Sequence, residues 1–493
     1  MSQLLPQGVG ASIALGTGGY PLPVPIDLPD LDNTQLRRRA LQTARVVGRN
    51  FAPIFAKKLL RKELPEKAGI RPLRKSFEEL GATYVKFGQL LSSSPGVFGE
   101  DVAEEFRTCL DAGPPVPFWK IRKIVERDLG RPLEEIYPEF SPEPIAAASI
   151  AVVHKAVLFD GRQVAVKVLR PGIESTVAAD LDLMEPIFTL LARQIGVGLA
   201  GPLLQLLEGF REQVAEEMDF RNEMRTMLHH RRMMERVHLP YVVIPEPYEE
   251  FSGRHILTME FLDGVPIDDL SGIEEFDVDP RPIVEEVVKA WFITTIRNGT
   301  FHGDVHAGNL MLLRDGRMGV IDWGIVGRLS PDAHQFMRWV IEAALGDESA
   351  WEKIANHLRT IYGAGVVESL GLTESEMTDL IRQQIEPLLT QPFGQVSLAT
   401  MFMGPQDKLG EAQAERISRQ SPAQVIRSWR NIRKVRNIAA DHGGTGSDFD
   451  RGTFLIGKQL LYFERYGKMF LSDVSLLEDE EFFRDLLEQE PIE

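Results

Sequence analysis

The chain has 493 residues, 43% hydrophobic and 26% charged, with a formal net charge of −17. That length exceeds one small core and points to two or three packed units, and the ordinary globular composition excludes wholesale disorder. The acidic balance argues against nucleic acid as a partner, and the single cysteine, Cys109, excludes an internal disulfide framework and fits a reducing, cytoplasmic setting.

Residues 1–32, rich in Gly and Pro, read as a flexible arm, and residues 33–135 as an N-terminal helical extension. Between Asn33 and Lys62 lie nine basic residues and no acid: Arg37, Arg38, Arg39, Arg45, Arg49, Lys57, Lys58, Arg61 and Lys62. Leu36, Ala40, Ala44, Val47, Phe51, Ile54 and Phe55 recur at three- and four-residue steps, which predicts an amphipathic helix kinked or divided at Pro53. Two readings of it stay open: a helix packed on the body of the protein, or peripheral contact with an anionic membrane through residues 33–62. Helical periodicity continues around "SFEELGATYVKFGQLLSSSP", with Pro95 ending one helix. No basic n-region leads into an apolar core at the start of the chain, so no secretory leader is expected. The most apolar stretch, "IFTLLARQIGVGLAGPLLQLL", is broken by Arg193, Gln194 and Pro202 and does not read as a membrane span.

Residues 136–265 carry the β-rich "IAAASIAVVHKAVLFDGRQVAVKVLRPG", in which Asp160-Gly161 predicts a hairpin with Lys167 on its second strand. Helices follow from Glu174 to about Arg236, and "AEEMDFRNE" reads as part of one of them. Six residues separate Glu217 from Glu223, so an ideal helix sends them to different partners. Short strands follow at "YVVIPEP" and "HILTMEFLDG". Residues 266–400 read as mainly helical, except for a hairpin of "NLMLL" and "MGVIDW" around Asp315-Gly316. Residues 401–493 form a C-terminal helical extension: a helix and flexible loop over 410–445, then the acidic amphipathic "LLEDEEFFRDLLEQE", read as a solvated face.

The chemistry sits in "HGDVHAGNLML" and "VIDWG". Asp304 and Asn309 have the separation of a protein-kinase catalytic loop, and Asp322 opens the metal motif with Trp323 in place of phenylalanine. In that pattern Asp304 acts as base or positions the attacking hydroxyl, Asn309 and Asp322 hold the Mg²⁺ of a nucleotide, and Lys167 meets its phosphates, held by a carboxylate. Backbone groups near Glu260 to Leu262, in the expected linker between lobes, would meet adenine. A phosphate-covering loop ordinarily uses glycine, but here Ala146, Ala147, Ala148 and Ser149 stand before the hairpin, and their side chains predict a stiffer loop.

Taken together, "KFGQ" at Lys86–Gln89, "AAAS", "EMD" at Glu217–Asp219 and "HGDVHAGN" with "DWG" resemble the UbiB family of atypical kinases, the ADCK/coenzyme-Q-biosynthesis group, over Pro72 to Leu329. The resemblance implies an α+β, two-lobed protein-kinase-like fold with N- and C-terminal helical extensions, binding ATP or ADP with Mg²⁺. It implies that Lys86 and Gln89 lie on an extension folded over the cleft, with Lys86 meeting the acidic triplet of Glu217 and Asp219. Glu223 is then left as the partner of Lys167. It further implies a role in isoprenoid-quinone or related lipid metabolism, with quinone-biosynthesis proteins as partners and ATPase or small-molecule phosphorylation favoured over protein phosphorylation. Two departures stand out. Ala151 and Val152 replace the family's usual Gly-Gln, which bears on nucleotide preference, and the hydrophobic C-terminal spans of many relatives are missing, so lipid must be reached otherwise. Two rival readings are a small-molecule phosphotransferase of the aminoglycoside or choline kinase type, and a nucleotide-gated scaffold with little turnover.

Overall fold

Helix α1 (Asn33–Leu59) leads into α2 (Ile70–Leu80), α3 (Ala82–Ser92) and α4 (Glu100–Arg107). The computed structural model describes residues 23, 26, 28–59, 68–92, 100–109, 115–195, 197–362, 373–396 and 451–492. Expectations for most of the arm, for Arg61, Lys62 and Pro95, and for residues 410–445 lie outside the described residues. Pro53 does not divide α1, which continues through it as one helix. Proline removes one N–H and crowds the preceding turn, and docking on both sides of it offsets that cost: Val46 and Val47 pack against the main core, and Phe51 lies beside Gly69. The apolar stripe therefore faces the protein body. Gly81, at φ +93, separates α2 from α3 in a conformation that side chains disfavour. Phe77, Phe87 and Phe106 then close these short helices on one another, with the rings of Phe77 and Phe106 5.2 Å apart.

After α5 (Phe118–Leu129), ended by left-handed Gly130, and the single turn α6 (Leu133–Ile136), the chain builds its first sheet. It contains β1 (Glu139–Ala147), β2 (Ala151–Val157), β3 (Gln163–Leu169) and, later, β5 (Ile256–Glu260), all antiparallel in the order β1-β2-β3-β5. In β3, Val164, Val166 and Val168 join Ile121, Val125 and Ile136 in a small core under α5. Ala165 and Leu169, on the opposite face, join the main core. Lys167 shares that inner face by strand alternation, and a one-residue slip would bury it under α5. Between β3 and β5 come α7 (Ile173–Ile195), α8 (Val197–Glu216), α9 (Phe220–Val237) and β4 (Val242–Val243).

The second half runs β6 (Gly264–Pro266), α10 (Leu270–Glu275), α11 (Arg281–Asn298), β7 (Thr300–His302), β8 (Leu310–Leu313), β9 (Met318–Val320), β10 (Val326–Arg328), α12 (Pro331–Ala344), α13 (Glu348–Tyr362), α14 (Glu374–Thr390), α15 (Arg451–Phe470) and α16 (Glu480–Glu488). Buried almost all round, α11 is the axis of this half. The small sheet β4-β9-β8-β6 and the pair β10-β7 carry the two signature loops on its surface. Gly316, at φ +80, makes the expected Asp-Gly turn between β8 and β9. The acidic helix α16 is amphipathic but not simply solvated: Phe483 and Leu486 are buried, and the Phe483 ring meets Phe292 of α11 edge-on at 5.2 Å. Among the described residues no helix is long and apolar enough to cross a membrane. The architecture is a kinase-like α/β core with helical extensions at both ends.

Candidate active site

Lys167 is buried at the centre of the first sheet, paired across the ladder with Val153 and Leu257. Its Nζ donates to both oxygens of Glu223 at 2.9 and 3.0 Å, and to Oδ1 of Asp322 at 2.9 Å. One ammonium thus serves two carboxylates. Burial alone would deprotonate Lys167, but the attraction of Asp322 and Glu223 prevails and raises its pKa. Burial pushes Glu223 up to about 7 against the pull of Lys167, and Asp322 adds to the repulsion. Asp322, although desolvated, is held well below the usual carboxylate range by Lys167. The deeper carboxylate bears the cost of the unmatched negative charge.

Asp322 sits at φ +57, a left-handed conformation uncommon for a residue with a side chain. Trp323 locks it there. The indole Nε1 donates to Val320 O at 2.8 Å, and the ring lies 4.4 Å from His230 of α9 and 4.6 Å from His302. Both histidines are kept neutral by burial, His302 down to about 4 and His230 to about 3. His302 Nδ1 accepts from Asp304 N–H at 3.1 Å, so its protonated Nε2 donates to Ile321 O at 3.2 Å. One neutral imidazole thereby ties the Asp304 loop to the strand leading into Asp322.

Asn309 Nδ2 donates to the Asp304 carbonyl at 2.9 Å, which leaves its amide oxygen to act as a ligand. Asn309 and Asp322 supply oxygen donors only, the choice of a hard cation such as Mg²⁺. Among the described residues no cluster of three or more His, Cys, Asp or Glu could hold a metal by itself. Two protein oxygens fit a Mg²⁺ whose remaining ligands are phosphate and water.

The alanine segment differs from the expected loop. Ala146 and Ala147 are strand residues of β1, paired with Val153 and Val152, and only Ala148 to Ile150 form the turn. Alanine tolerates extended backbone, so the ladder continues where glycines would have loosened it. Arg170 pins the turn, its Nε donating to Ala148 O at 2.9 Å and its N–H to Ile150 O at 2.8 Å, while Ser149 is buried. Glu260 closes β5 with its N–H bonded to Glu246 O at 2.8 Å, so that donor is taken. Leu262, two residues on, is buried against Gly319.

The acidic triplet does not continue a helix. The chain breaks after α8, and Asp219 caps α9, accepting from Arg221 N–H at 3.0 Å and pairing with the Arg221 guanidinium. An aspartate ahead of a helical run is a recognised cap signal that a one-helix reading overlooks. The break also separates the glutamates: Glu217 forms an ion pair with Lys86 of α3 at 2.6 Å, and Glu223 turns to Lys167. Gln89 lies one turn beyond Lys86 on the same side of α3.

The C-terminal helix is the part of the site that sequence reasoning missed. Lys458 of α15 donates to Asp304 Oδ1 at 2.6 Å, from 154 positions away. Gln459, fully buried, donates to Gly303 O at 2.6 Å and accepts from Val305 N–H at 2.8 Å, and Tyr466 donates to Val305 O at 2.8 Å. Burial would raise the Asp304 pKa, but Lys458 and the nearby histidines bring it below the ordinary value. The available signal was "LIGKQLLYFERYG", where Lys458 and Gln459 interrupt an apolar helical face.

Comparison with known proteins agrees with this geometry. The ABC1 atypical kinase-like domain matches residues 108–356. An "uncharacterized aarF domain-containing protein kinase", chloroplastic, from Arabidopsis thaliana is 36% identical over 414 residues, covering 83% of this chain and 73% of the relative. An uncharacterized protein of Mycobacterium tuberculosis is 32% identical over 434 residues, 86% of this chain and 79% of its own. A "Probable protein kinase UbiB" of Marinobacter nauticus is 36% identical over 269 residues, 54% of this chain and 49% of its own. With its domain match, its full-length relatives and its kinase-like core, the chain belongs to the ABC1/UbiB family of atypical kinase-like proteins.

Proposed function

We propose that this chain binds ATP or ADP with Mg²⁺ and transfers or hydrolyses the terminal phosphoryl group, in support of isoprenoid-quinone or related lipid metabolism. The observation that carries the reading is Lys167 set between Glu223 and Asp322, with Asn309 bonded to the Asp304 backbone beside them. Phosphoryl transfer passes through a loose transition state and depends on positioning and charge neutralisation more than on covalent chemistry. Lys167 contacts the phosphates, Asn309 and Asp322 hold the metal, and Asp304 orients the attacking hydroxyl or water. Magnesium, when bound, neutralises phosphate charge. The pinned alanine turn and the Lys86–Glu217 pair restrict entry to the cleft, which favours ATPase or small-molecule chemistry over protein phosphorylation.

Contact with an anionic membrane is part of the same proposal, and the fold narrows its form. The apolar side of α1 is packed inward and Arg39 is tied to Asp180, but Arg37, Arg38, Arg45 and Lys57 are exposed. Such contact is electrostatic, at about 1 kcal/mol per basic residue near the surface, and weakens with salt.

The test is a thermal melt with Mg²⁺ and ADP or ATP. Asp322→Asn is expected to keep the fold and lose the Mg²⁺-dependent nucleotide shift; an unchanged shift overturns the metal assignment. Turnover by Asp304→Asn separates an enzyme from a nucleotide-gated scaffold. The enzyme loses hydrolysis with this change, whereas the scaffold has little to lose.

A further inference from the structure

The catalytic loop carries no lysine or arginine between Asp304 and Asn309, since Val305, His306, Ala307 and Gly308 fill the interval. His306 is turned to its own loop, its Nδ1 accepting from Gly308 N–H at 3.0 Å. Yet an attacking hydroxyl held by Asp304 stands in line with the transferring phosphoryl, whose oxygens need a cation on this side of the cleft as well as Lys167 on the other. The fold supplies one from outside the catalytic loop. Lys458 Nζ lies 2.6 Å from Asp304 Oδ1, and its side chain is 16% exposed, so it is neither sealed in the core nor loose in solvent.

Helix α15 is held against the loop by groups other than Lys458. Gln459 bonds the backbone on both sides of Asp304, Tyr466 bonds Val305, and Leu455 is buried. One turn on from Lys458, Tyr462 lies under its ammonium, with the ring centre 5.9 Å away. The lysine is thus aimed by a docked helix, and Asp304 takes one of the three N–H donors an ammonium carries.

We propose that Lys458 is a phosphate-binding residue of this site. Supplied by the C-terminal extension, it bridges the Asp304 carboxylate and the γ-phosphoryl group, and so makes the site sense the terminal phosphate. The proposal rests on the phosphoryl-transfer reading above and adds to it a residue and a basis for telling ATP from ADP. A charge-assisted hydrogen bond to the γ-phosphate corresponds to a roughly 10- to 100-fold preference for ATP.

The experiment uses the full chain and measures affinity for Mg-ATP and Mg-ADP by calorimetry, together with kcat and KM for ATP turnover. Wild type is expected to bind ATP at least about 10-fold tighter than ADP. Lys458→Met should abolish that preference by weakening ATP and sparing ADP, and lower kcat more than it raises the ADP dissociation constant. Lys458→Arg should recover part of both. A merely structural lysine would move both nucleotides together and would not be rescued selectively for ATP. If Lys458→Met melts early, Lys458→Gln carries the same comparison, because it keeps a donor toward Asp304 without the charge. Retention of the wild-type ATP-to-ADP ratio in these variants overturns the proposal, as does a wild type that binds the two equally. A wild type that binds neither nucleotide overturns the phosphoryl-transfer reading, and Lys458's role falls with it.

Discussion

The two extensions hold the kinase-like core by different physics. On the N-terminal side the contacts are ionic. Arg39 forks the buried Asp180 at 2.6 and 2.8 Å and also donates to Leu80 O, Lys86 pairs with Glu217, and Asp128 of α5 accepts from His255 at 2.7 Å. On the C-terminal side most contacts are neutral and reach backbone. Gln459 and Tyr466 bond residues 303 and 305, and the Asn298 amide exchanges two hydrogen bonds with Ile492 at 2.9 and 3.2 Å. Charged contacts respond to pH and salt, whereas neutral backbone contacts do not. The first extension is therefore suited to conditional closure over the cleft, and the second to fixing the catalytic loop permanently.

The largest effect expected from breaking this contrast is at Arg39. Arg39→Ala leaves the Asp180 carboxylate buried without its partner, at a cost of about 3–5 kcal/mol. Chemical denaturation should show that loss, and Arg39→Ala with Asp180→Asn should cost less than the two separately. Additive losses would mean that the pair does not dock α1. On the other side, Gln459→Leu fills the same space but leaves Gly303 O and Val305 N–H unpaired in the interior. We expect about 2–4 kcal/mol of destabilisation and a fall in turnover, because both groups flank Asp304. Wild-type stability with normal turnover would show that α15 does not set the loop.

The smallest effect concerns pH. Asp128 and Glu174 raise His255 to about 9. Because its folded pKa lies above its unfolded value, its contribution is complete below about 6.5 and is lost as pH rises through about 9. Wild type should lose on the order of 1 kcal/mol more than His255→Gln between pH 7 and pH 9.5. Parallel pH–stability curves would remove the titratable contact from the account of the N-terminal side.

Much of this was readable before any coordinates, and the misreadings share a cause. The hairpin of Lys167 and that of Asp315-Gly316 depend on local turn chemistry and alternation, and the spacings of Asp304, Asn309 and Asp322 lie within one short stretch. The one-helix reading of "AEEMDFRNE" failed because periodicity is blind to a break of three residues capped by Asp219. The split of α1 at Pro53 failed because local propensity yields to packing.

By itself the sequence determined the family-bearing motifs, the strands that carry Lys167 and Asp322, and the amphipathic character of α1 and α16, since each depends on neighbours within a few residues. Only the tertiary structure decided which carboxylate meets which lysine and which way α1 turns its apolar side. It alone showed that a helix 154 positions away completes the Asp304 loop. Those outcomes depend on burial and on directional bonds between distant segments, for which no spacing along the chain is diagnostic.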